Sequence, residues 1–123
     1  MSNSNRIIFY YADWCGFCKS FKPVWKELKE EIKQKYPKFK TDEFEEKDVP
    51  KSAMKDVEGW PTIIIYKNDK KYNYVGKRTV EELLSVLELD NNDKDKLYEM
   101  ENNEQKGGGD YYRMKYKKYK SKY

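Results

Sequence analysis

Residues 7–19 read Ile7-Ile8-Phe9-Tyr10-Tyr11-Ala12-Asp13-Trp14-Cys15-Gly16-Phe17-Cys18-Lys19, and the hydrophobic pattern changes its period within them. Residues 7–12 form a continuous apolar run, which suits a short strand buried on both faces. From Cys15 onward the spacing is helical. Phe17, Phe21, Val24, Leu28, Ile32 and Tyr36 recur at steps of three and four, which makes one apolar face. Pro37 stops the helix, and Pro23 inside it removes a backbone donor and predicts a kink. The two cysteines therefore sit where a buried strand gives way to a helix.

Further elements follow outward from this junction. Residues 39–44 read as a second strand, and residues 52–57 as a short irregular or helical piece. Residues 62–67 are rich in β-branched side chains and form a third strand. Asn68-Asp69 makes a turn, and residues 72–76 return as a fourth strand. Thr79 with Glu82 three residues on is a capping box, opening a helix with Val80, Leu83, Leu84 and Leu87 on one face. The order is βαβ followed by ββα, an α/β domain with a four-stranded mixed sheet.

Composition narrows the chemistry. The chain has 123 residues, enough for one domain, and 39% of them are charged. Its mean hydropathy is −1.17. No run approaches the ~18 apolar residues of a membrane span. No apolar h-region opens the chain, so no ordinary signal peptide is expected. The absence of histidine excludes His-based acid–base catalysis and every His-ligated metal site. Two cysteines fall short of the four thiolates of a closed all-cysteine zinc site. What is left is a soluble domain of a reducing compartment with one cysteine pair. Charge divides the chain into residues 1–89 at +2, 90–109 at −3 and 110–123 at +5. Nearly all Ile, Leu, Val and Phe precede Asp90. We read 1–89 as the folded domain, 90–109 as a polar extension ending in the joint Gly107-Gly108-Gly109, and 110–123 as a basic tail.

Cys15-Gly16-Phe17-Cys18 in a βαβ setting is a redox signal. Residues three apart in a first helical turn bring their Cα atoms to about 5.5 Å, within disulfide reach. Unpaired N–H groups and the helix dipole favour a thiolate at Cys15 by roughly 0.3–2 kcal/mol. At about 1.36 kcal/mol per unit, that lowers a thiol near ~8.5 by about one unit. Cys18, one turn deeper, is expected to be more buried and to act as the resolving thiol. The other readings are a structural disulfide, half of a zinc site completed by a second chain, and an inactive pair. A two-residue loop closes too little chain for a disulfide there to stabilise much.

Phe9 to Lys19, with Pro23 eight residues after Cys15, resembles the active-site segment of the thioredoxin superfamily. Gly59-Trp60-Pro61-Thr62 resembles its cis-proline loop, and Tyr74-Val75-Gly76-Lys77-Arg78-Thr79 is similar to the closing segment of protein disulfide isomerase catalytic domains. The resemblance covers roughly residues 6–88. Trp14 before the first cysteine and Thr62 after Pro61 suit thioredoxin or the isomerases better than glutaredoxin. The resemblance implies that Cys15 attacks a substrate disulfide and Cys18 releases the product. It implies a cis bond before Pro61, which leaves the backbone of Trp60 to pair with an extended substrate. Gly16 and Phe17 lie between the cysteines in the substrate-facing turn. Trp14 and Trp60 would rim Cys15, or else serve ordinary packing. Arg78 would ease deprotonation of Cys18, or else be a solvated charge at a helix start. No cofactor and no metal are implied.

Three departures stand out. Only five residues precede Arg6, so the family's opening strand and helix do not fit and a minimal version of the fold is expected. Many relatives carry a buried acid six residues before the first cysteine, where this chain has Phe9. Arg78, a water or another acid would then serve Cys18. The Gly-Phe dipeptide matches neither the Gly-Pro of reducing thioredoxins nor the Gly-His of oxidising isomerases. Those classes sit at about −270 and −180 mV, about 4 kcal/mol apart, and the sequence does not place this chain between them.

In the tail, Tyr112, Tyr116, Tyr119 and Tyr123 fall at helical spacing among basic residues. This is either a solubilising tail or a segment that binds an anionic partner. The pattern resembles tails on proteins of large cytoplasmic DNA viruses, which implies placement in a virion or viral factory. The expected protein is thus a cytoplasmic, monomeric protein disulfide oxidoreductase. Its electron partner would be a reductase, a small thiol or a sulfhydryl oxidase. The rival is a non-catalytic peptide-binding module anchored by its tail.

Overall fold

A computed structural model describes residues 5–100. Strand β1 (Asn5–Tyr11) leads into helix α1 (Gly16–Lys35), which crosses over to strand β2 (Phe39–Glu45). A 3-10 turn (Glu46–Asp48) and helix α2 (Lys51–Met54) lead to strand β3 (Thr62–Lys67) and strand β4 (Lys70–Tyr74). Helix α3 (Val80–Val86) and strand β5 (Leu97–Met100) complete the order. The strands lie as β2-β1-β3-β4-β5. β1 and β2 run parallel, as a helical crossover requires, and the other neighbours are antiparallel.

Strand alternation sorts the core into two faces. Ile7 and Phe9 of β1, Ile63 and Ile65 of β3, and Tyr72 and Tyr74 of β4 pack with α1 and α3 in the main core. Ile8, Tyr10 and Ile64 form a smaller cluster on the other face, beside Val49, Ala53 and Val57. The turn between β3 and β4 is two residues long, with φ of 55° at Asn68 and 64° at Asp69. That is the hairpin geometry that Asn and Asp tolerate. The turn is so tight that β4 resumes at Lys70, two residues earlier than the apolar pattern predicts.

The buried row of α1 is Cys18, Phe21, Trp25, Leu28 and Ile32. Phe17, which the periodicity placed on that row, is 70% exposed. Around the helix it lies within about 20° of Leu28, so its exposure comes from its place in the first turn, at the end of the helix, rather than from its face. Pro23 lies inside α1 and does not end it.

The sheet has five strands where four are expected. β5 pairs with β4 from Tyr74↔Leu97 to Lys71↔Met100 and lies in the stretch read as a polar extension. Only Leu97 and Met100 are aliphatic there, in a segment crowded with Asp, Asn and Lys. The signal for this strand is its partner, because Leu97 is buried at 4% and joins the main core. The fold therefore continues through Met100. The glycine joint and the basic tail lie outside the described residues.

Two buried lysines brace the sheet. Lys67 is fully buried, and its Nζ donates to the carbonyls of Val86, Glu88 and Asn91 at 2.6, 2.7 and 2.5 Å. It thereby closes the C-terminal end of α3. Lys71 meets Asp56 at 3.0 Å, with both side chains 7% exposed. Among the described residues, no helix is long and apolar enough to cross a membrane.

Candidate active site at the first helix terminus

Cys15 is the N-cap of α1, with extended backbone at φ −88° and ψ 117°. Its Sγ accepts a hydrogen bond from the backbone N–H of Cys18 at 3.1 Å. A thiol thus fills the role usually taken by a Ser or Asp oxygen at a helix start, where N–H groups lack partners. The Cys15 backbone N–H donates to the carbonyl of Ala12 at 3.1 Å, which fixes the strand-to-helix turn. Both thiols are free, with Cys15 5% exposed and Cys18 fully buried. Burial pushes the Cys18 thiol up to about 11, and the hydrogen bond with Cys15 adds to the rise. The backbone of Ala12 and the Arg78 charge pull the other way.

The loop before β3 comes up against this turn. The Trp60–Pro61 bond is cis. The Cys15 thiol lies 3.5 Å from the carbonyl oxygen of Trp60, in donor geometry. Thr62 Oγ1 donates to the carbonyl of Gly59 at 2.6 Å and holds the loop in place. The sequence therefore places Cys15, Cys18, Trp60 and Pro61 together although more than forty residues separate the two motifs.

Around the thiol the surface is aromatic. Trp14 is 68% exposed, and its indole N–H donates to Glu46 Oε1 at 2.9 Å. Phe17 stands equally exposed, with the Arg78 guanidinium 5.7 Å from its ring centroid. Gly16 has open space where a Cβ would project. Trp60 is half-buried and touches both core clusters. At Gly76, next to Arg78, a Cβ would meet the Tyr74 hydroxyl at 2.8 Å and Lys96 Cγ at 3.0 Å. Glycine is therefore required where the chain turns toward Arg78.

Phe9 lies in the core among Tyr11, Phe21 and Trp25, with ring centroids 5.0–5.3 Å apart. No carboxylate occupies that position. Its register partner on β2 is Glu43, which accepts from Trp25 Nε1 at 2.6 Å and Lys29 Nζ at 2.9 Å. Burial works against ionisation of Glu43, but those two donors hold its carboxyl below the ordinary value. Glu43 and Glu46 were not singled out from the sequence. Each meets its partner far along the chain, and the sequence shows only one acid among many. Among the described residues no cluster of three metal-ligating side chains occurs.

This geometry can be set beside known proteins. Residues 1–89 match the thioredoxin family profile. Over 79 residues the chain is 34% identical to human protein disulfide-isomerase TMX3, covering 63% of this chain and 17% of that protein. Over 87 residues it is 37% identical to a thioredoxin domain-containing protein 5 homolog of Drosophila melanogaster, covering 66% of this chain and 20% of that protein. The chain thus spans about a fifth or less of these relatives. Among solved structures, the first thioredoxin domain of mouse protein disulfide-isomerase A4 superposes with a TM-score of 0.63 at 30% identity. That match covers 75% of this chain and 67% of the mouse domain. The zinc-bound form of human ERp44 superposes at 0.60 with 22% identity, over 68% of this chain and 25% of that one, which speaks for the fold alone. With the profile match covering most of its length, this chain belongs to the thioredoxin family.

Proposed function

We propose that the chain is a thiol–disulfide oxidoreductase acting on protein disulfides. The observation that carries this reading is the Cys15 Sγ held at the α1 N-terminus by the N–H of Cys18 at 3.1 Å. That places the sulfur at the end of the helix, one turn from a second thiol, as disulfide exchange requires. In the reducing direction, the Cys15 thiolate attacks one sulfur of a substrate disulfide and expels the other as a thiolate. Cys18 then loses its proton and attacks the Cys15 sulfur of the mixed disulfide. The second substrate sulfur leaves, and Cys15 and Cys18 end as a disulfide. Two electrons pass from the dithiol to the substrate, and the two protons end on its thiols. Trp14, Phe17 and Trp60 supply an apolar surface for an unfolded or extended chain, and the segment before Pro61 offers backbone to pair with it. Arg78 supports the negative charge that forms on Cys18.

The same proposal takes the working form as a cytoplasmic monomer served by a reductase, small thiol or sulfhydryl oxidase. The basic tail would bind an anionic partner, in a virion or viral factory if its resemblance to viral tails holds. Reduction of insulin with dithiothreitol as electron source tests the central step. The unaltered chain should accelerate precipitation of the insulin B chain, and Cys15→Ser should fall to the rate of dithiothreitol alone. Equal rates for both proteins would overturn the reading. One observation favours a second reading, a binding module. Phe9 and its aromatic neighbours place no acid in the core where a proton acceptor for Cys18 is expected. Cys18→Ser distinguishes the two, since an oxidoreductase lacking its resolving thiol accumulates thiol-sensitive adducts through Cys15.

A further inference from the structure

Phe17 is apolar, 70% exposed and placed between the two cysteines. A large ring left in water at a helix start calls for a reason. One neighbour supplies it: the Arg78 guanidinium carbon lies 5.7 Å from the ring centroid, within cation–π range. The contact joins the first turn of α1 to the turn that opens α3. Arg78 stands one residue before Thr79, the N-cap of α3. Its positive charge acts on Cys18, favouring the thiolate there.

We propose that Phe17 is a positioning residue whose ring holds the Arg78 guanidinium beside the cysteine pair. It would then have two roles, meeting substrate on one side and keeping a cation near the resolving thiol on the other. A long arginine side chain on the surface samples many rotamers, and a ring under its guanidinium narrows that choice. The favourable field at Cys18 then depends on the dipeptide between the cysteines. Gly16 leaves the approach open, since a Cβ there would meet nothing within 4 Å. The inference rests on the reading of Cys15 and Cys18 as a working dithiol.

The groups that act on Cys18 are the Cys15 thiol, the Ala12 backbone and Arg78, while burial raises its pKa. A clean test therefore removes the first. In a Cys15→Ser background Cys18 is the single cysteine, and its titration can be followed by NMR of an isotope-labelled Cβ carbon, with circular dichroism monitoring the fold. Phe17→Leu should leave less thiolate at a given pH, by no more than about fivefold, the most that an exposed cation–π contact can change the occupancy of the guanidinium position. Arg78→Gln should lower it at least as much. Phe17→Tyr keeps a ring and should restore the parent curve. In the Phe17→Leu, Arg78→Gln double variant the loss should equal that of Arg78→Gln alone. Full additivity, or a Phe17→Leu curve that overlays the parent, would overturn the clamp. This titration requires no turnover. Failure of the unaltered chain to reduce insulin counts against the oxidoreductase reading, whereas an uncoupled titration counts against the clamp.

Discussion

The N-terminus of α1 and the C-terminus of α3 face the same physical problem and solve it in opposite ways. Each helix end leaves backbone groups without partners inside the helix. At α1 the N–H of Cys18 is met by a thiol that sits at the surface turn among exposed aromatics. At α3 three carbonyls are met by a lysine ammonium with no exposure at all. Burial pulls the Lys67 ammonium below its ordinary value, while Asp90 and Glu88 support its charge. The first cap can be exchanged for another bond and the second cannot. Both caps are buried, so the difference lies in their chemistry: reactivity is placed where the capping atom is a thiol that can form a covalent bond, and stability where it is an ammonium.

Substitution at the two ends should separate chemistry from stability. The largest effect is expected for Cys15→Ser. Serine is a good N-cap, so the melting temperature should change by only a few degrees while insulin reduction is abolished. A large fall in melting temperature would show that the thiol is structural. Lys67→Met should behave in the reverse manner. It strands the buried carbonyl of Val86 and the part-buried ones of Glu88 and Asn91, and should cost about 3 kcal/mol, read from urea unfolding. In the cold, where the variant is folded, Cys15 should be alkylated as fast as in the unaltered chain. A loss below ~1 kcal/mol would mean that water replaces the ammonium freely.

Alkaline pH probes both ends in one experiment. Tyr36 is raised from 10.0 to about 12, chiefly by its hydrogen bond to Glu88 near the sealed end, and Tyr10 is raised as far, chiefly by burial. Cys18, in the first turn of α1, is raised from 9.0 to about 11, chiefly by burial. In each case the folded chain keeps a proton that the unfolded chain has released. Their stabilisation is therefore whole below the unfolded values and is lost as pH climbs through the folded ones. Lys67 has the opposite sign, because its lowered pKa makes the buried charge costly only while it is protonated. The urea midpoint should hold steady to about pH 9 and fall between about 10 and 12. A midpoint that rose over that interval would contradict the burial of these groups. The smallest effect is expected at Thr79, whose side chain accepts from the N–H of Glu82 at 3.2 Å. Thr79→Ala should cost about 1 kcal/mol without altering insulin reduction.

What could be read in advance follows from where the signal lies. β1, α1, β3 and α3 are dense in apolar residues at a regular period, and Thr79 marks the start of α3. Asn68-Asp69 likewise marks the hairpin through its own side-chain preferences. β5 carries its reason in β4, since a short charged strand is stabilised by the register it completes rather than by its own pattern. Lys67 sits in a strand of buried residues, and a lysine reads as surface until its three carbonyl partners are known. The cysteine pair and the proline loop were readable because each is a local motif. Glu46 on Trp14 was not, because a carboxylate thirty-two residues away has no sequence signature. Phe17 falls on the helical stripe by count, and its place in the first turn of α1 leaves it uncovered.

The most direct test of the central claim is a redox titration of the full chain in buffers of reduced and oxidised glutathione. Samples are acid-quenched, alkylated and mapped by mass. The account predicts one two-electron transition in which Cys15 and Cys18 lose their free thiols together to an intramolecular disulfide, with a midpoint between about −270 and −180 mV. Thiols that stay free across the whole range, or that form only separate glutathione adducts, would contradict it.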